Sequence, residues 1–216
     1  YKRQALDRLL TEIRDCRICR DAPRYGAPLP HEPRPVCVAS KRASILVAGQ
    51  APGTRVHASG IPFNDPSGDR LRQWMGIDRD AFYDVSKIAI VPMGFCFPGL
   101  DAKGGDLPPR RECREVWRAQ LMQLLPQVRL VLVIGQYAQA YHLGNLRQKT
   151  LTRTVANWRA IRDERTSPIT YALPHPSWRN NAWLRKNPWF ERDLLPALQE
   201  DIRAQFDGGQ QDSKIF

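Results

Sequence analysis

Val128-Arg129-Leu130-Val131-Leu132-Val133-Ile134-Gly135 is an apolar run of strand length broken only by Arg129, and a helical pattern from Gln136 to Leu143 begins directly after its glycine. A run apolar at successive positions is covered on both faces, and a strand passing straight into a helix is the repeating unit of a parallel sheet. The same alternation extends outward. Upstream, a helix from about Arg111 to Leu125 feeds this strand, and Lys87–Val91 and Ile45–Ala48 read as two more short strands. Downstream, Ile169–Leu173 is a fourth strand and Trp189–Gln205 a closing helix. Leu6, Leu9, Leu10 and Ile13 recur at helical spacing, which places an amphipathic helix over residues 4–15, and Gly68–Met75 opens another. The Pro- and Gly-rich stretches 22–35 and 97–109 read as loops. The expected fold is a single α/β domain over residues 1–206, with a central, mainly parallel four-stranded sheet flanked by helices and a flexible tail at 207–216. In such sheets ligands bind outside the carboxyl ends of the strands.

Composition narrows the partners. The chain has 216 residues, 42% of them hydrophobic and 25% charged, as expected of one globular domain. No apolar run approaches the roughly 18 residues of a membrane span, and the charged start lacks the apolar core of a signal peptide. An intracellular, cytoplasmic, nucleoid-associated monomer with no membrane partner is the expectation. Thirty-three Lys and Arg against 22 Asp and Glu leave a net charge of +11, which favours polyanions. Trp178, Trp183 and Trp189 interleave with Arg179, Arg185 and Lys186, a composition shared by nucleic-acid surfaces and by core-facing helices.

Two motifs fall at strand ends. Gly49-Gln50-Ala51-Pro52-Gly53 follows the first strand and leaves backbone N–H groups free to face a ligand. It has neither the spacing of a dinucleotide fingerprint nor the Gly-Lys-Ser/Thr of a P-loop. Pro174-His175-Pro176-Ser177-Trp178 follows the last strand and holds one histidine in a stiff loop. The five cysteines, an odd number, argue against a disulfide framework. Cys16-x-x-Cys19 has chelate spacing, while Cys96 and Cys113 bracket the 97–109 loop. Spacing leaves zinc, an iron–sulfur cluster and empty thiols open.

Gly60-Ile61-Pro62-Phe63-Asn64-Asp65-Pro66-Ser67-Gly68-Asp69-Arg70-Leu71, the glycine turn before it, Leu132-Val133-Ile134-Gly135 and His175-Pro176-Ser177 occur in an order that resembles the uracil-DNA glycosylase superfamily, especially its iron–sulfur-containing bacterial branch. The resemblance runs from about Leu9 to Arg185. It implies a monofunctional DNA glycosylase that hydrolyses the N-glycosidic bond of uracil and other deaminated bases in DNA, initiating base excision repair. A non-catalytic DNA-binding or damage-sensing relative is the alternative.

The resemblance also assigns roles. It implies a structural [4Fe-4S] cluster on Cys16, Cys19, Cys96 and Cys113, with Cys37 left over. His175 would stabilise the leaving base, Gly49 and Gln50 would offer backbone N–H groups, and Phe63 would stack on the flipped base. Ser177, Trp178, Arg179 and Asn180 would enter the minor groove; independently of the resemblance, Lys103, Arg110 and Arg111 in the loop between Cys96 and Cys113 are charged to suit DNA phosphates. Neither motif contains a lysine, so no Schiff-base lyase step is expected. Departures matter as much. Ala51 stands where the best-known members carry a water-orienting Asp, Gln50 replaces the branch's Glu, and Val56-His57 replace a Glu-Asp pair. His57 and Asp65 thereby become candidates for positioning water. Met93 is read in place of an Asn that contacts the uracil edge, with Asn64 as a substitute amide. The expected consequence is a broader choice of deaminated base.

Overall fold

The computed structural model describes residues 2–164 and 168–208. Four strands, β1 (Ile45–Ala48), β2 (Ile88–Ile90), β3 (Leu130–Ile134) and β4 (Ile169–Leu173), form one sheet in the order β2-β1-β3-β4. All neighbouring pairs are parallel, with Ile45 opposite both Ile88 and Leu130, and Leu130 opposite Ile169. The chain leaves β1 toward β2 on one side and returns to β3 on the other. The carboxyl ends of β1 and β3 therefore flank the switch point where α/β sheets form ligand crevices.

Every strand residue except Ile169 and Thr170 is buried, which is why the strands read as continuous apolar runs. Their side chains alternate between two layers. Leu46, Ala48, Ala89, Val131, Val133 and Ala172 meet the opening helix and Leu121 and Leu125. Ile45, Val47, Leu130, Leu132, Tyr171 and Leu173 meet a bulkier layer containing Leu71, Trp74, Phe82, Trp158, Phe190 and Leu198. Each fully buried side chain of Leu or Phe size contributes about 1.5–3 kcal/mol.

The opening helix spans Lys2–Arg14, and the helix before β3 spans Arg111–Gln123 with a π-helical turn at Arg114–Arg118. That turn buries Arg118 completely. Its Nη1 donates to the carbonyls of Val91 (3.1 Å) and Pro92 (2.9 Å), and its Nη2 lies 2.6 Å from His142 Nε2. Burial and the guanidinium hold His142 down to about 3, so it stays neutral and accepts this bond. Arg118 thus anchors the segment leaving β2.

Short helices at Thr54–Ser59, Arg79–Tyr83, Leu151–Ala156 and Asn181–Lys186 occupy stretches without legible periodicity. Five or six residues are too few for a 3.6-residue repeat to register. Their local signals are capping residues: Asp78 accepts from Ala81 N, Thr150 accepts from Arg153 N, and Gly60 ends its helix at φ 72°.

Near the C-terminus one open reading is decided and one boundary moves. Trp183 donates through Nε1 to Thr152 (2.8 Å) and packs edge-on against Trp189 and Phe190, so these tryptophans serve the core. Of the three tryptophans in this stretch, Trp178 is the exposed one, at 71%. The closing helical segment begins at Phe190 and reaches Gly208, so the expected tail starts inside it; residues 209–216 lie outside the described residues. Among the described residues no helix is long and apolar enough to cross a membrane.

Candidate functional site

A cleft of about 810 Å³ opens at the carboxyl ends of the strands, lined by the Gly49–Gly53 turn, Phe63, Asp65, Pro92, the 101–106 segment and His175 through Arg179. The turn is held by Met93 N donating to Gly49 O and Gly94 N to Gln50 O, both at 2.9 Å. Gln50 lines the cleft, and its Nε2 makes a long contact of 3.5 Å to Leu107 O.

Phe63 is shaped by its neighbours. Its φ of 54° lies in the left-handed region, which non-glycine residues rarely adopt. Its ring meets Phe82 edge-on at 6.0 Å and comes so close to Gly49 that a Cβ there would lie 3.3 Å from the ring. A Cβ at Gly68 would overlap the Phe63 carbonyl oxygen. Close approach to backbone therefore requires glycine at Gly68, whereas a side chain at Gly49 would need the Phe63 ring to give by a few tenths of an ångström. The helix Pro66–Met75 begins with Asp65 Oδ1 accepting from Gly68 N at 2.9 Å.

His175 leaves β4 in a loop pinned by Asn180 Nδ2 donating to His175 O (2.7 Å) and by Arg70 Nη1 donating to Ser177 O (3.0 Å). Burial depresses its pKa below the ordinary histidine value, against the opposing pull of Asp65 and Asp106, and Arg179 adds to the depression. The ring is consequently neutral near pH 7, with one nitrogen donating and one accepting. Trp178 and Arg179 form the rim, the guanidinium carbon 5.6 Å from the indole centroid.

This arrangement joins an aromatic wall, a neutral histidine and a turn of backbone N–H groups in one crevice, and the family model of the uracil DNA glycosylase superfamily matches residues 38–199. The chain belongs to that superfamily. The match covers all four strands and both cleft motifs.

Placed in this superfamily cleft, the residues singled out from sequence separate. Gly49, Gln50, Phe63, Asp65, His175, Ser177, Trp178, Arg179 and Lys103 line it. Met93 does not. Its side chain is 4% exposed among Leu6, Leu9 and Ile13, because the chain leaving β2 alternates and turns Pro92 toward the cleft. Pro92, four residues before Cys96, therefore occupies the place assigned to Met93. Asn64 lies off the lining, its Oδ1 accepting from Arg79 Nη2 at 3.0 Å. His57 packs against His31 (4.4 Å between centroids) and Phe97 (5.8 Å) and is not part of the lining, although its neighbours Arg55 and Val56 are. Arg110 is spent on Ala27 O (3.0 Å) and Glu112 (3.4 Å), and Arg111 sits over the Tyr25 ring at 5.5 Å. Asn180 positions the His175 loop.

Asp106 lines the cleft and escapes sequence reasoning. It belongs to a small hairpin in which Leu100 and Asp106 bridge, Asp101 N donates to Gly105 O (2.7 Å) and Leu107 N to Gly99 O (2.9 Å). The run Gly104-Gly105-Asp106 is its faint sequence signal.

Cys16, Cys19, Cys96 and Cys113 line a second, small cavity with Ile13, Pro33, Pro35 and Phe95, whereas Cys37 packs elsewhere against the core. Phe95 N donates to Cys113 Sγ at 3.3 Å, and burial pushes the Cys96 thiol up to about 12. Among the described residues no three His, Cys, Asp or Glu groups stand at single-ion spacing. An all-sulfur donor set in an apolar wall nonetheless suits zinc or an iron–sulfur cluster, either of which would deprotonate the thiols.

Proposed function

We propose that this superfamily member is a monofunctional DNA glycosylase that removes uracil and other deaminated bases from DNA, the first step of base excision repair. The observation that carries the reading is His175 facing the same crevice as Phe63 and the Gly49–Gly53 turn. Cleaving a base from deoxyribose develops negative charge on the base and positive charge on the sugar. A neutral His175 donates to the base's carbonyl oxygen as that charge grows, and N–H groups of the turn add to it. Phe63 stacks on a base extruded from the duplex, since the sugar–base bond is hidden while the base is stacked. Pro92 closes the wall without an amide, so recognition of the base edge rests on fewer hydrogen bonds and admits more than uracil. Trp178, exposed beside Arg179, supplies a wedge that offsets lost stacking, and the net charge of +11 supplies the phosphate attraction.

Oligonucleotides carrying uracil, hypoxanthine or xanthine, single- and double-stranded, test this. Alkali after incubation is expected to break the strand at one or more of these bases. Binding without breakage at any of them would favour the non-catalytic alternative.

We also propose that Cys16, Cys19, Cys96 and Cys113 hold a [4Fe-4S] cluster of structural role, cross-linking the short helix Ile18–Asp21, the segment after β2 and the helix starting at Arg111. The soft sulfur set and its convergence on one cavity support this. Anaerobically purified protein is expected to be brown, with iron and sulfide in equal amounts; zinc in their place would reject the cluster.

A further inference from the structure

We infer that Asp106 is the base that activates the attacking water, so that the acid missing at Ala51 is supplied from the 99–107 hairpin. This rests on the glycosylase reading of the cleft. Among the described residues three carboxylates line that cleft, Asp65, Asp101 and Asp106. Two already hold backbone N–H groups through one carboxylate oxygen. Asp65 Oδ1 caps the Pro66–Met75 helix through Gly68 N, and Asp101 Oδ1 accepts from Lys103 N and Gly105 N, both at 2.8 Å. Asp106 makes no side-chain hydrogen bond among the described residues, and its carboxylate hangs over the glycine turn, where a Cβ on Gly53 would stand 3.6 Å from Oδ2. The base-stabilising histidine and the free carboxylate thus face one space, large enough for a flipped nucleotide and a water.

The chemistry balances. As the C1′–N bond breaks, its electron pair leaves on the base, and His175 donates a hydrogen bond to that anion. The water oxygen bonds to C1′ while one of its protons passes to Asp106, leaving a hydroxyl on the abasic sugar. The proton on Asp106 then returns to the base or to solvent. Before attack, the carboxylate also opposes the positive charge on the sugar.

Partial burial raises the Asp106 pKa, with Asp65 and Asp101 adding to the rise and His175 and Arg179 opposing it. Lys103 and Arg55 complete the charged lining. The carboxylate must be ionised to accept a proton, so the rate falls by about tenfold per pH unit below its pKa.

Single-turnover excision by the full chain, on whichever base the wild type removes, is the test. Asp106→Asn and Asp106→Ser are expected to slow excision by about 10²–10³-fold and to flatten the acid limb of the residual rate. DNA affinity, read by anisotropy, stays the same or rises slightly, because a negative charge near phosphate is gone. Wild-type rates in both variants, a loss confined to DNA affinity, or the same loss in Asp65→Asn with Asp106→Asn unaffected would each overturn the role. Those outcomes leave the glycosylase reading standing, whereas a wild type inactive on every base removes both.

Discussion

Replacing His175 with alanine is expected to lower single-turnover excision by about 10²–10³-fold, roughly 3–4 kcal/mol of transition-state stabilisation, while DNA affinity is retained. The size follows from the setting. A donor in a half-closed cleft acts at a lower effective dielectric than one in water, and its position is prepaid by the Asn180 and Arg70 bonds that pin the loop. Because burial keeps the ring neutral, on the proposed mechanism it would give a hydrogen bond without adding a full positive charge beside the developing sugar cation. Excision at the wild-type rate by His175→Ala would show that backbone N–H groups suffice and that the histidine is a loop element.

Gly68→Ala is expected to be the most damaging small substitution. The added methyl would overlap the Phe63 carbonyl oxygen and lie 2.9 Å from Phe63 Cβ. Relief requires shifting backbone that Asp65 and Arg72 both hold, since Gly68 N donates to Asp65 and Arg72 Nη1 donates to Phe63 O at 3.4 Å. Overpacking against fixed backbone costs about 3 kcal/mol or more, which lowers the melting temperature by roughly 6–12 °C in a chain of this length. Any variant that stays folded has moved Phe63 and loses excision as well. Gly104→Ala is the comparison: nothing lies within 4 Å of its added methyl, and only the positive φ of 73° is penalised, by about 1 kcal/mol. An unchanged melting temperature and full activity in Gly68→Ala would mean that the Phe63 loop is not held in this way.

The two effects show why parts of the cleft are legible in the chain and parts are not. Buried parallel strands announce themselves because both faces must be apolar, as in Leu130–Ile134, and β4 coincides with the stretch Ile169–Leu173 read from the sequence. A strand end followed by a glycine turn or a Pro-flanked histidine is equally local, which is why Gly49–Gly53 and His175 stand out in the sequence alone. Side-chain direction in irregular segments has no such period. Met93 and Pro92 differ by one residue, yet one enters the core and the other the cleft, and the buried Arg118 behind Val91 and Pro92 fixes which. His57 is displaced from the cleft by a six-residue helix too short to register, and Arg110 pairs with nearby Glu112 while donating to Ala27 O, a partner visible only once the helix at Arg111 docks on the 22–35 loop.

By itself the sequence determined the alternating strands and helices, the end of the sheet at which the crevice opens, and the histidine it presents, because each depends on burial or stiffness within a few neighbouring residues. The tertiary structure decided which polar groups remain free inside that crevice. Asp65 and Asp101 have bonding capacity committed to backbone N–H groups, while Asp106 keeps its carboxylate over Gly53. That choice depends on how a hairpin from one strand end folds over the turn of another, a contact between segments some fifty residues apart that no local pattern encodes.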